Sequence, residues 1–146
     1  MSTETQRIEE IISTLKTRQQ TNRLNYYTPY RFQSRFHESG SDANQRLLMA
    51  ANRVGKSYVG AMEMAIHLTG LYPDWWKGKR YKEPIKAWVC GASNETTRDI
   101  CQKELFGQPD NPREKGKGSI PKHLIGETTR KPGVPNAHSS VLVKHK

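Results

Sequence analysis

Ala50-Ala51-Asn52-Arg53-Val54-Gly55-Lys56-Ser57 is the stretch on which the fold turns. A short apolar run, Arg46-Leu47-Leu48-Met49-Ala50, leads into it. Behind it, Tyr58 to Thr69 places Val59, Met62 and Ile66 on one helical face, with Ala61, Ala65 and Leu68 beside them. A strand, a glycine turn and a helix in this order match the phosphate-loop pattern G-x-x-x-x-G-K-[ST]. The match holds at every fixed place but the first, where Ala50 replaces glycine. In such a loop the backbone N–H groups and the helix N-terminus converge on phosphate oxygens. Gly55 permits a close backbone approach that a side chain would obstruct.

Residues 50 to 57 are therefore all candidate nucleotide-binding positions, with a different chemistry for each side chain. Lys56 places a cation on the β- and γ-phosphates, and the Ser57 hydroxyl is the candidate ligand for Mg²⁺. Arg53 lies inside the loop, where its guanidinium is placed to stabilise charge developing on the γ-phosphate, which makes Lys56 and Arg53 the candidate catalytic pair. A second reading leaves Arg53 a solvated loop residue, and the two stand open. The cofactors that follow are ATP and Mg²⁺.

Upstream, the aromatic-rich segment Asn25 to His37 offers a site for a base. Gln33 carries the paired donor and acceptor that adenine requires, and Tyr27, Tyr30 or Phe32 offers a ring on which to stack. The same aromatics also serve a core. Pro29 is suited to open a helix, and Glu38 to Asn44, with Gly40, has loop composition. Before this, Thr3 to about Thr21 is an amphipathic helix with Ile8, Ile11, Ile12 and Leu15 on one face. That stripe packs on the domain or docks on a partner. Residues 1–24 are thus a helical lead-in, and residues 25–146 are the domain proper.

Downstream, Gly70 is placed to end the phosphate-loop helix. Leu71 to Pro84 is an aromatic, Pro- and Lys-containing loop. Its Trp75-Trp76 pair either pins the loop to the domain or, with the neighbouring lysines, grips nucleic acid. Lys86 to Ala92 has the composition of a second buried strand. Ser93 is a helix N-cap with Glu95 in the first turn, opening a helix from Asn94 to about Phe106 that buries Thr97, Ile100, Cys101 and Leu105. Gly107 ends it. After a loop from Gln108 to Ser119, Ser140 to Val143 is a third strand. Alternation of helix and strand points to an α/β domain with a largely parallel sheet.

The bulk numbers agree with a folded domain. The 146 residues are 34% hydrophobic and 26% charged, with a formal charge of +10. Arg113 to Lys146 holds eight basic residues and only two acidic ones, Glu114 and Glu127, a surface that attracts polyanions. Cys90 and Cys101 are too few for a disulfide scaffold and have no metal-ligand spacing; both fall in segments expected to be core, as reduced thiols. The five histidines form no ligand set. No run approaches membrane-spanning length, and the opening residues do not form a signal peptide, so a soluble intracellular protein is expected.

Several stretches together resemble one family, the large subunit of the terminase of tailed bacteriophages. Tyr27-Thr28-Pro29-Tyr30, Gln33 and Phe36-His37 look like its adenine-binding motif. Ala51 to Ser57 resembles its deviant Walker A loop, which also carries an arginine. Glu63, Ala65, His67 to Pro73, Trp75-Trp76, Trp88-Val89, Gly91, Thr97-Arg98-Asp99 and Gln102 through Leu105 continue the likeness. The resemblance implies a P-loop ATPase domain of three layers, present here in part. In the full-length protein it would be followed by a nuclease domain, in a ring that drives double-stranded DNA through a portal into a procapsid. A terminase small subunit is the further partner, and host cytoplasm, transiently at the portal, is the place. The family's Walker B acids lie beyond residue 146. None of the three candidate strands ends in an acid: the second gives Gly91-Ala92-Ser93 and the third Lys144-His145-Lys146. A chain that binds ATP and hydrolyses it poorly is the expectation, as is a truncated or split gene product. Two alternatives stand beside it: a basic nucleic-acid-binding module with a relic P-loop, and another P-loop enzyme of helicase-like or kinase-like type.

Overall fold

A computed structural model describes residues 3–146. Helix α3 (Lys56–Thr69) is the centre of the molecule, with Val59, Met62, Ala65 and Ile66 buried on its inner face. Its ends are set by two glycines in left-handed conformation, Gly55 at φ +85 and Gly70 at φ +69. Gly70 returns its N–H to the Ile66 carbonyl at 3.0 Å, the helix stop expected from its position. The chain end comes back to this point, where the Lys146 N–H donates to the Thr69 carbonyl at 2.9 Å.

Around α3 pack the turn Arg23–Tyr26, the aromatic loop and the segment from Leu105 to Leu124. Leu24, Tyr27, Met62, Ile66, Trp76 and Ile120 form the middle of the core. Burying side chains of this size contributes about 1.5–3 kcal/mol each. Helix α1 (Thr3–Thr21) forms as expected, but Ile8, Ile11, Ile12 and Leu15 all stand exposed. Their stripe does not pack on the domain. Helix α2 (Arg31–Glu38) starts after Tyr30 rather than at Pro29.

The strands depart from expectation. Residues 46–50 and 86–92 belong to no sheet among the described residues. Leu47, Met49 and Trp88 are 81%, 81% and 90% exposed. A parallel strand buried on both faces needs neighbours along both edges to pair its N–H and C=O groups, and no described segment pairs with these two. The sheet that forms is an antiparallel hairpin of β1 (Ile125–Arg130) and β2 (His138–Val143), in which Thr128 faces Val141 and Thr129 faces Ser140. The third expected strand, Ser140 to Val143, is thus correct in place, with an antiparallel partner instead of a parallel one.

The helix expected from Asn94 to Phe106 is continuous but not uniform. It comprises α4 (Asn94–Thr96), a π-helical stretch (Thr97–Gln102) and α5 (Lys103–Phe106). Ser93 caps it, accepting the Thr96 N–H at 3.1 Å, and Gly107 ends it at φ +100. The wide π turn alters the phase of the helix. Gln102 and Leu105 are buried, whereas Ile100 is exposed and Thr97 and Cys101 only half-buried. Gln102 fastens this helix to the hairpin: its Nε2 donates to the Asn136 carbonyl at 2.8 Å and its Oε1 accepts the His138 N–H at 2.9 Å.

Candidate functional site

The loop between Ala50 and α3 is built from two left-handed residues, Arg53 at φ +64 and Gly55 at φ +85. Gly55 adopts this conformation freely. Arg53, which has a Cβ, does so at roughly 1–2 kcal/mol, and strain of this kind persists where the surroundings enforce it. The two reversals leave the N–H groups of residues 52–57 without an acceptor among the described residues. They stand at the N-terminus of a 14-residue helix, where the backbone dipole is positive. Lys56 Nζ folds back over the loop and donates to the Ala50 and Ala51 carbonyls, both at 2.7 Å. Ala50, Ala51, Asn52, Arg53 and Ser57 are exposed, and Val54, Gly55 and Lys56 are half-buried. The donor set (free amides, an ammonium, a guanidinium and a hydroxyl) has the chemistry of an anion cradle and fits a polyphosphate with its Mg²⁺.

Helix α2 brings the base-side candidates to this loop. Tyr30 is 72% exposed at the start of α2 and offers its ring to solvent. Gln33 is only 3% exposed. Its Oε1 accepts the Tyr30 N–H at 2.9 Å, and its Nε2 lies 3.4 Å from where a Cβ on Gly55 would stand. The amide is therefore wedged between the α2 N-terminus and the loop, with its oxygen already engaged. Tyr27 belongs to the core, donating or accepting at 2.9 Å with His37 Nε2. Phe32 remains exposed.

Behind the loop lies a buried polar cluster that sequence reasoning did not single out. His37 Nδ1 is 2.7 Å from Glu63 Oε2. The Arg46 guanidinium bonds both carboxylate oxygens and also donates to the Phe36 carbonyl at 2.7 Å. His67 Nε2 approaches Glu63 Oε1 at 3.6 Å, and its Nδ1 lies 3.1 Å from the Tyr72 hydroxyl. Burial by itself raises the carboxyl pKa of Glu63. The hydrogen bonds from His37, His67 and Arg46 and the Arg46 charge outweigh it, holding the group well below the usual carboxylate range. A signal was present: Glu63 follows Val59 by four and precedes Ile66 by three, so a carboxylate sits on the buried face.

Trp76 packs in the core, which pins the tryptophan loop to the domain, and its Nε1 donates within the loop to the Lys79 carbonyl at 3.0 Å. Trp88 and Cys90, expected in a buried strand, are exposed. Cys101 is half-buried, and burial followed by the nearby Cys90 raises its thiol pKa. Both thiols are free. Among the described residues no group of His, Cys, Asp and Glu is placed to hold a metal ion, and no helix is long and apolar enough to cross a membrane.

This loop, its helix and the segments around them coincide with a known family. The family described as terminase large subunit, T4likevirus-type, N-terminal, matches residues 47–142. The chain belongs to the terminase large subunits. It is similar to the large subunit of the terminase of Salmonella phage P22, at 38% identity over 148 aligned positions, covering 93% of this chain and 30% of that protein. The chain thus spans about 30% of the length of this curated relative. No solved structure matches.

Proposed function

We propose that this chain is the ATP-binding N-terminal portion of a viral DNA-packaging motor. The observation that carries this is the run of unpaired amides from residue 52 to residue 57, at the N-terminus of α3 and beside Lys56 and Ser57. In the Walker A role the amides hold the β-phosphate and Lys56 exchanges the Ala50 and Ala51 carbonyls for β- and γ-oxygens. The Ser57 hydroxyl would hold Mg²⁺, which would supply neutralisation of phosphate charge. Arg53, exposed and left-handed at φ +64, would supply a guanidinium for the charge that develops on the γ-phosphate. On the other side, the exposed Tyr30 ring stacks on adenine while the Gln33 amide borders the cradle.

The three-layer P-loop fold would recruit the exposed apolar segments 46–50 and 86–92 as strands of a largely parallel sheet. In the full-length motor, ATP hydrolysis would drive double-stranded DNA into the procapsid. The motor would work as a homo-oligomeric ring at the portal, with the terminase small subunit presenting the DNA, in the host cytoplasm. For this chain the claim is binding. Mg·ATP titrated into the folded protein should give saturable heat, and at a hundredfold excess over Kd the protein should gain about 2.7 kcal/mol of stability. Folded protein that takes up no nucleotide would end the proposal.

A further inference from the structure

We infer that Glu63 is a positioning residue that fixes the base-side helix α2 against the phosphate loop, so that the pair reads a nucleotide rather than a bare polyphosphate. The inference rests on the ATP-binding reading and assigns a role that the loop itself does not contain. Three segments meet at this one carboxylate. From α2 comes His37, 1% exposed and 2.7 Å away. From the chain entering the loop comes Arg46, which bonds Glu63 and also reaches the Phe36 carbonyl in α2. Glu63 itself belongs to α3, whose first turn is the cradle.

The carboxylate thus ties α2, the loop's entry and the loop's exit into one unit. A buried charge with three partners holds such a geometry firmly, because removing any partner leaves another buried group unsatisfied. What this unit sets is the gap between Gln33 and Gly55, so narrow that a Cβ added to Gly55 would stand 3.4 Å from the Gln33 amide nitrogen. The phosphate cradle, in contrast, is made by local backbone turns and does not need α2. Loosening the tie should therefore spare phosphate binding and impair recognition of the base.

The test compares two probes, Mg·ATP and Mg·tripolyphosphate, on the wild-type chain and on Glu63→Gln, with folding checked by circular dichroism. Wild type should prefer ATP by at least about tenfold, a difference of about 1.4 kcal/mol. Glu63→Gln should bind tripolyphosphate within about twofold of wild type and lose most of its preference for ATP. A general loss of packing would weaken both probes alike. Should Glu63→Gln fail to fold, Arg46→Lys keeps the charge at a partly exposed site, gives up the forked contact, and should lower the ratio in the same direction. An unchanged ratio in a folded variant overturns the inference and leaves ATP binding standing, as does a wild type that binds both probes equally. A wild type that binds neither overturns the ATP-binding reading itself.

Discussion

Lys56 Nζ donates to the carbonyl oxygen of Ala50, six residues back, at 2.7 Å, and makes an equal bond to Ala51. The ammonium is thereby held over the loop, and in the proposed ATP binding phosphate oxygens would replace two exposed carbonyls. Lys56→Ala should weaken Mg·ATP binding by roughly 10- to 100-fold, as expected for losing a charge-assisted contact of about 1.5–3 kcal/mol. Without nucleotide its unfolding free energy should stay within about 0.5 kcal/mol of wild type, because the bonds it loses are exposed. Calorimetric titration and urea unfolding on the same preparation check both halves.

The Glu63 cluster has a signature in acid. A carboxyl whose folded pKa is depressed contributes stability that is complete above its unfolded value, here 4.5, and is lost as pH falls toward the folded one. Urea midpoints of wild type should therefore fall steeply as pH drops below about 4.5, whereas those of Glu63→Gln should start lower at neutral pH and fall less. The gap between the two proteins must narrow with acidification. A gap that stays constant from pH about 7 to about 3 would show that the depressed titration is not what stabilises the fold.

The elements that were legible are those whose signals are local. Val59, Met62 and Ile66 at helical spacing, ended by Gly70, specify α3 without outside help, and Ser93 and Gly107 bracket their helix in the same way. The loop from 50 to 57 was likewise written in its residue types. Partnership was not legible. Leu47 to Met49 and Ala87 to Val89 are apolar, but a run becomes a strand only when another segment pairs with it. Strand β1 went unnoticed because Gly126, Thr128 and Thr129 give no apolar alternation. The π turn, which exposes Ile100 and buries Gln102, lies in a segment whose residue spacing is that of an ordinary α-helix. In the site, the approach of Gln33 to Gly55 and the gathering of His37, Arg46 and Glu63 join residues far apart in the chain.

Trp88 separates the structure from the sequence expectation in one substitution. A tryptophan in a buried strand loses about 3–5 kcal/mol on truncation. At 90% exposure it touches little that folding depends on. Trp88→Ser should change the unfolding free energy by less than about 0.5 kcal/mol, measured by urea denaturation followed by far-ultraviolet circular dichroism. A loss of several kcal/mol would put Trp88 in the core after all.

Gln102 joins the helix to the turn that leads into β2, where Arg98 Nη1 also donates to the Pro135 carbonyl at 3.1 Å. Its amide donates to the Asn136 carbonyl and accepts from the His138 N–H, so a single side chain satisfies two backbone groups at the entry to β2. Asn136 itself is left-handed, at φ +59, a conformation asparagine adopts more readily than most residues. Gln102→Ala removes both bonds and should cost about 1–3 kcal/mol. Gln102→Glu is the sharper test. It keeps an acceptor for His138 but sets a carboxylate oxygen against the Asn136 carbonyl, so at neutral pH it should be no more stable than Gln102→Ala. On acidification the carboxyl gains a proton to donate to that carbonyl. Its folded pKa should therefore be raised, and Gln102→Glu should recover stability relative to Gln102→Ala as pH falls to about 4. Protection of the His138 amide, taken relative to its intrinsic exchange rate, should fall in Gln102→Ala at all pH values and be better kept in Gln102→Glu, which retains the acceptor. Parallel behaviour of the two at all pH values would mean that the helix and the hairpin are joined by something other than this amide.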